Sequence, residues 1–196
     1  MNKNFIADYL DVSSRVLNSL DRVALNNIVR IIVSLREREG RLFILGVGGS
    51  AANAAHAVND FRKLANIEAY APTDNVSELT ARVNDEGWET SFSNWLAGSR
   101  LNANDGVMVF SVGGGNAEKR VSVNLIRALE YAKLKNASII GIVGRDGGFT
   151  AKNADACVII PTESEALVTP LAESLQALIW HMVVSHPEIQ VTSTKW

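Results

Sequence analysis

Apolar positions along the 196 residues fall into two patterns: short uninterrupted runs, and longer stretches with helical spacing. The runs cover residues 41–47, 67–71, 105–112, 137–143 and 156–160, each bounded by glycine, proline or polar residues, as buried strands are. Between them lie an alanine-rich helix opening at Ser50, helices over 89–100 and 117–135, a brief one at 150–154 and a last one over 169–185. The polar stretch 73–88 predicts a short helix capped by Ser77, then a turn at Asn84, Asp85 and Gly87. Ahead of the first strand, Phe5, Tyr9 and Leu10, then Val23, Leu25, Ile28, Ile31, Ile32 and Leu35, predict two helices broken near 19–21. Ser19 or Asp21 is placed to cap the second.

Strands alternating with helices of ten or more residues imply right-handed crossovers. The expected fold class is therefore α/β: a doubly wound, five-stranded parallel sheet flanked by helices. No linker or low-complexity tract interrupts the chain, so residues 1–196 read as a single domain. Within it, residues 1–40 supply helices for packing or oligomer contacts, and residues 41–196 supply the α/β core.

The formal net charge of -2 leaves no electrostatic basis for nucleic-acid binding. Cys157 is the only cysteine, which excludes an internal disulfide framework and a Cys-rich metal site and suits a reducing cytoplasm. Asp8 and Asp11 interrupt the N-terminal stretch, which is not patterned as a signal peptide. No uninterrupted apolar run reaches the roughly 18 residues of a spanning helix. A cytoplasmic protein with neither a membrane nor a nucleic-acid partner is expected.

The chemistry begins where the first strand ends. Gly46, Gly48, Gly49 and Ser50 join it to a helix, an arrangement that presents unpaired N–H groups and a helix dipole to an anion. The loop lacks the lysine of a P-loop and the last glycine of the dinucleotide fingerprint, so no nucleotide cofactor is expected. The pattern recurs at Ser111 with Gly113, Gly114 and Gly115, and a third glycine-rich turn spans 144–148. Ligands of doubly wound sheets sit beyond the carboxyl ends of the strands, so these loops share one rim and suit a small phosphorylated molecule. On the first of the core helices, His56 and Asp60 stand four apart on one face. Glu173 and His181 stand eight apart on the last helix, about 12 Å along its axis.

Four stretches taken together, GVGGSAANAAH, TDNVSELTARVNDEGWE, FSVGGGNAEK and IIGIVGRDGG, resemble the sugar isomerase (SIS) family and, within it, the phosphoheptose isomerases of bacterial heptose synthesis. The resemblance implies conversion of sedoheptulose 7-phosphate to D-glycero-D-manno-heptose 7-phosphate through an enediol, by homotetramers with interfacial sites and often zinc. It places Val47, Gly48, Gly49, Ser50, Asn84, Asp85, Ser111, Val112, Gly113 and Asn116 against the substrate. His56, Asp60, Glu173 and His181 fall on the metal positions, and Asp60, His181 and Glu173 carry the proton chemistry. Departures accompany the likeness: Asp60 stands for a glutamate, Val47 for an asparagine, and Gly113 and Gly114 for hydroxyl residues, in a loop that is longer here. With glycines there, the loop is expected to hold its anion through backbone N–H groups. The alternative function is a non-catalytic SIS-fold regulator that binds a phosphosugar or docks on a partner. Trp88, Trp95, Trp180 and Trp196 read as core or subunit-contact residues, Arg62 and Lys63 as solvated surface, and Arg145 and Asp146 as holders of their turn.

Overall fold

The five apolar runs assemble into one parallel sheet in the computed structural model, which describes residues 4–193. Strands β1 (Leu42–Leu45), β2 (Ala69–Tyr70), β3 (Gly106–Ser111), β4 (Ser138–Val143) and β5 (Ala156–Ile159) lie in the order β2-β1-β3-β4-β5. The helices are α1 (Phe5–Asn18), α2 (Arg22–Glu37), α3 (Gly49–Leu64), α4 (Val76–Glu86), α5 (Ser91–Gly98), α6 (Val123–Leu134), α7 (Gly148–Asn153) and α8 (Val168–Val184). Strand order reverses between β1 and β3, so their carboxyl ends open the crevice in which such sheets bind ligands.

Alternation along the strands sorts the core into two layers. Leu42, Ile44, Met108, Phe110, Ile140 and Ile142 point to the face covered by α1, α2, α3 and α8. Phe43, Leu45, Val107, Val109 and Ile139 point to the face covered by α5 and α6. The N-terminal helices thus cover a sheet face, with Ile28, Val29, Ile32 and Leu35 of α2 buried, while α1 leaves Phe5, Ile6 and Leu10 exposed. The segment Glu165–Val184 is long and apolar enough to cross a membrane by composition, and here it packs along α3 as a core helix, with Leu171, Leu175, Ile179 and Val183 buried.

Several boundaries differ from the sequence reading, each for a local reason. Asn75, not Ser77, caps α4, its side chain accepting from the Glu78 N–H at 3.2 Å. The helix then runs through Asn84 and Asp85 to Gly87, so those two lie in its last turn rather than in a loop. Strand β2 keeps only two residues because it is an edge strand with a single neighbour. The helix expected from 117 starts only at Val123, since residues 116–121 close on themselves through paired Asn116–Val121 backbone bonds. Gly48, at φ +64°, precedes α3 as its cap, and Ser50 lies inside the helix with no capping bond. Asp21 caps α2 as expected, accepting from the Val23 and Ala24 N–H groups. Trp196 lies outside the described residues.

At the amino ends of the strands, the buried Asp105 accepts from the Arg41 backbone and guanidinium and from the Asn102 backbone and side chain, at 2.7 to 3.1 Å. That rim is locked by structural bonds, which leaves the carboxyl rim for ligands. On β5, burial pushes the Cys157 thiol up to about 11. The thiolate is therefore scarce at neutral pH, and Cys157 offers no nucleophile. A disulfide exchange reagent is expected to titrate no thiol in the folded protein at pH 7 and one in denaturant.

Candidate active site

Both glycine loops open into one hollow. A cavity of about 840 Å³ is lined by Val47 and Ser50 after β1, by Ser111, Val112, Gly113, Gly115 and Asn116 after β3, and by Arg145 and Asp146 after β4. Lys119 and Val121 close it from the 116–121 turn, Ser122 from the start of α6, and Thr162 and Glu165 from the approach to α8. Its size suits a small metabolite. The Ser50 hydroxyl is 1% exposed and has no hydrogen-bond partner among the described residues. A buried orphan hydroxyl carries a desolvation cost that a ligand oxygen relieves.

From that cavity a polar seam runs between α3 and α8. The partners advance together along both helices, so the two run parallel: Gly49 against the Glu173 carboxylate, Asn53 against the Glu173 carbonyl and Gln176, His56 against Trp180, Asp60 against His181. A β-carbon on Gly49 would collide with the Glu173 carboxylate. That carboxylate sits at the amino end of α3, where the helix dipole is positive. From Ser50 to His56 is six residues, about 9 Å of helix rise.

At the far end of the seam three side chains converge. Asp60, 2% exposed, lies with Oδ2 3.7 Å from His181 Nε2 and 4.0 Å from His56 Nε2, and its Oδ1 accepts from Asn59 Nδ2 at 2.9 Å. His181 Nδ1 stands 2.8 Å from the Ala177 carbonyl. When protonated, Nδ1 donates to that carbonyl, and Nε2 faces Asp60. Trp180, fully buried, meets the His56 ring edge-on at 4.7 Å and lies tilted against the His181 ring at 3.5 Å, packing on both imidazoles. One ligand atom from each of His56, Asp60 and His181 lies within 4.8 Å of the other two. Donors around a tetrahedral zinc stand about 3.3–3.6 Å apart, so small side-chain movements fit this trio to a divalent ion.

A family model of the SIS domain matches residues 4–144. The chain belongs to the SIS domain family. Among its relatives, the phosphoheptose isomerase of Sulfurimonas denitrificans is 31% identical over 176 residues, covering 87% of this chain and 82% of that one. The lincomycin biosynthesis protein LmbN of Streptomyces lincolnensis is 30% identical over 192 residues, covering 92% of this chain and 68% of that one. The fold matches the phosphoheptose isomerase GmhA from Neisseria gonorrhoeae with a TM-score of 0.80 at 24% identity, over 93% of this chain and 97% of that one.

The SIS core gathers most, not all, of the residues picked out by motif. Val47, Ser50, Ser111, Val112, Gly113 and Asn116 line the cavity; Gly48 and Gly49 form the turn beside it. His56, Asp60 and His181 meet, whereas Glu173 is outside that trio and rests on the glycine loop. Asn84 and Asp85 are exposed on α4, bonded to each other at 2.7 Å, and are not among the cavity's lining residues. The backbone nest is also spent differently: the Gly114 and Gly113 N–H groups turn inward to Ser111 Oγ, at 3.0 and 3.4 Å. Arg62 packs over Tyr70 and donates to the Ala69 carbonyl. Lys119, Thr162 and Glu165 escaped sequence reasoning, because nothing in their spacing marks them; Arg145 and Asp146 were visible only as turn residues. Lys119 stands at the end of the FSVGGGNAEK stretch, in the loop that is longer here, and neither feature gave it a ligand role.

Proposed function

We propose that this SIS protein is an aldose–ketose isomerase of a phosphorylated sugar, converting sedoheptulose 7-phosphate to D-glycero-D-manno-heptose 7-phosphate. The observation that carries the reading is the single cavity built from both glycine loops, with a buried carboxylate flanked by two imidazoles farther along the same helix α3. Kinship with phosphoheptose isomerases supports it. The phosphoryl end lies at Ser50 and the loop after β3, and the sugar extends along α3 towards Asp60. Asp60 takes the proton from the carbon beside the carbonyl, giving the enediol, exchanges it with solvent, and delivers a proton to the neighbouring carbon. His181, as the Nδ1–H tautomer, shuttles a proton between the two sugar oxygens through Nε2. His56, Asp60 and His181 are the residues that would hold zinc, which when bound supplies Lewis acidity towards the sugar carbonyl. Glu173, the fourth position implied by resemblance, would have to leave Gly49 to join them. Exposed Phe5, Ile6 and Leu10 on α1 favour self-association, and we infer a cytoplasmic homo-oligomer, a tetramer by family resemblance.

The test is NMR of the purified protein with sedoheptulose 7-phosphate in deuterated water. Aldose product carrying solvent deuterium at the carbon beside the new carbonyl is expected. Binding without turnover, with and without added zinc, would instead make the protein a phosphosugar-sensing module.

A further inference from the structure

The cavity contains cationic side chains to which the family resemblance assigns no role. Two cations line it, Arg145 and Lys119. Arg145 is already paired, its Nη1 3.8 Å from Glu165 Oε2. Asp146, the other acid in the wall, accepts the Gly148 N–H at 3.2 Å and so holds its own turn. The Lys119 ammonium has no hydrogen bond or ion pair among the described residues.

The turn that carries Lys119 is built to hold its backbone in place. Asn116 and Val121 exchange two backbone bonds at 2.9 and 3.0 Å, and Asn116 Oδ1 accepts the Lys119 N–H at 2.8 Å. On the outer side Arg120 pairs with Glu89, just before α5. The turn is therefore tied at its base, across its middle and to a neighbouring element, while the lysine side chain stays unengaged at the cavity wall. Across the same cavity the buried Ser50 hydroxyl lacks a partner, an independent sign of a missing ligand oxygen. Two of the glycine N–H groups that could bind an anion, those of Gly113 and Gly114, are turned to Ser111. Glu173 stands at the start of α3 besides, so the helix dipole there already faces a carboxylate.

We propose that Lys119 is the cation that recognises the phosphoryl group, making it the residue that selects phosphorylated over free sugars at this site. This rests on the phosphosugar reading above and assigns the charge that reading requires. A compact ammonium on a flexible stem suits a phosphate dianion entering the cavity. Binding contributed this way is equal in ground and transition states, so it appears in KM rather than kcat.

The test compares wild type, Lys119→Met and Lys119→Arg, with inorganic phosphate as the calorimetric probe and sedoheptulose 7-phosphate as the substrate. Lys119→Met is expected to weaken phosphate binding and raise KM by about 10- to 100-fold, the range for losing a charge-assisted hydrogen bond, with kcat within about threefold of wild type. Lys119→Arg is expected to restore both, and the salt dependence of phosphate binding to flatten in Lys119→Met. Unchanged phosphate affinity and KM in Lys119→Met, with wild type active, would overturn the assignment alone. Wild type that neither binds phosphate nor turns over the sugar would remove the phosphosugar reading and this assignment together.

Discussion

Asp60→Asn is expected to lower kcat for sedoheptulose 7-phosphate by about a thousandfold, within the span that general acid–base groups contribute. The substitution keeps shape and volume, and the Asn59 contact at Oδ1 survives as an amide-to-amide bond. What is lost is the negative charge that faces two imidazole Nε2 atoms. A carboxylate this buried carries a large desolvation cost, so its removal leaves the fold intact, and the thermal midpoint is expected not to fall. Asp60 also separates the two carboxylates. Glu173→Gln, altering a side chain that rests on Gly49 outside the trio, is expected to cost less than about tenfold. Steady-state kinetics of both variants, with and without added zinc, check this. A Glu173→Gln loss larger than that of Asp60→Asn would move the base to Glu173.

Gly114→Ala is the second large effect, and it acts through the fold. Gly114 has φ +68°, and a β-carbon there would run into the Gly147 carbonyl of the loop after β4. The two loops are stitched together at this point: Thr150 donates to the Gly114 carbonyl through both N–H and hydroxyl, at 2.9 and 2.8 Å, and the Phe149 N–H donates to the Gly115 carbonyl at 2.9 Å. Left-handed backbone strain plus overpacking predict a loss of about 2–4 kcal/mol in urea unfolding. The same displacement moves Ser111 and Asn116, so KM for the phosphosugar is expected to rise as well. Gly113→Ala is the matched control. A β-carbon on Gly113 meets only Arg145 Cδ at 3.5 Å, ordinary contact, and the loss should stay below about 1 kcal/mol. Equal losses at the two positions would show that close approach of the loops does not govern this edge of the site.

The architecture was legible in the sequence because its signals are local. Uninterrupted apolar runs gave the strands, and their regular alternation with helical spacing gave the parallel sheet. Glycine at the ends of 41–47 and 105–112 marked the ligand rim, since only small residues follow a strand so closely with a helix or tight turn. Legibility failed where individual side-chain bonds and helix packing decide. Asn84 and Asp85 read as a turn by composition, yet the Asn75 cap starts α4 early enough to carry them into helix. The Ser111 glycine loop read as an anion nest, yet Ser111 Oγ takes its N–H groups. Glu173 shares a helix with His181, but the parallel run of α3 and α8 sets it against Gly49, eleven residues before Asp60 on the facing helix. Lys119 ends the stretch FSVGGGNAEK, but nothing in that stretch sets it apart from a solvated lysine. Its relevance comes from a closed turn that folds back over the cavity mouth.

The most direct single measurement is the structure of the protein with sedoheptulose 7-phosphate bound. The phosphoryl oxygens are expected within hydrogen-bond reach of Ser50 Oγ and the loop after β3, with the carbonyl end of the sugar lying along α3 beside Asp60 and His181. A sugar whose phosphoryl group sits outside this hollow, or whose carbonyl end turns away from the α3–α8 seam, would contradict the proposal that one rim binds the phosphate and delivers the other end to the acid–base pair.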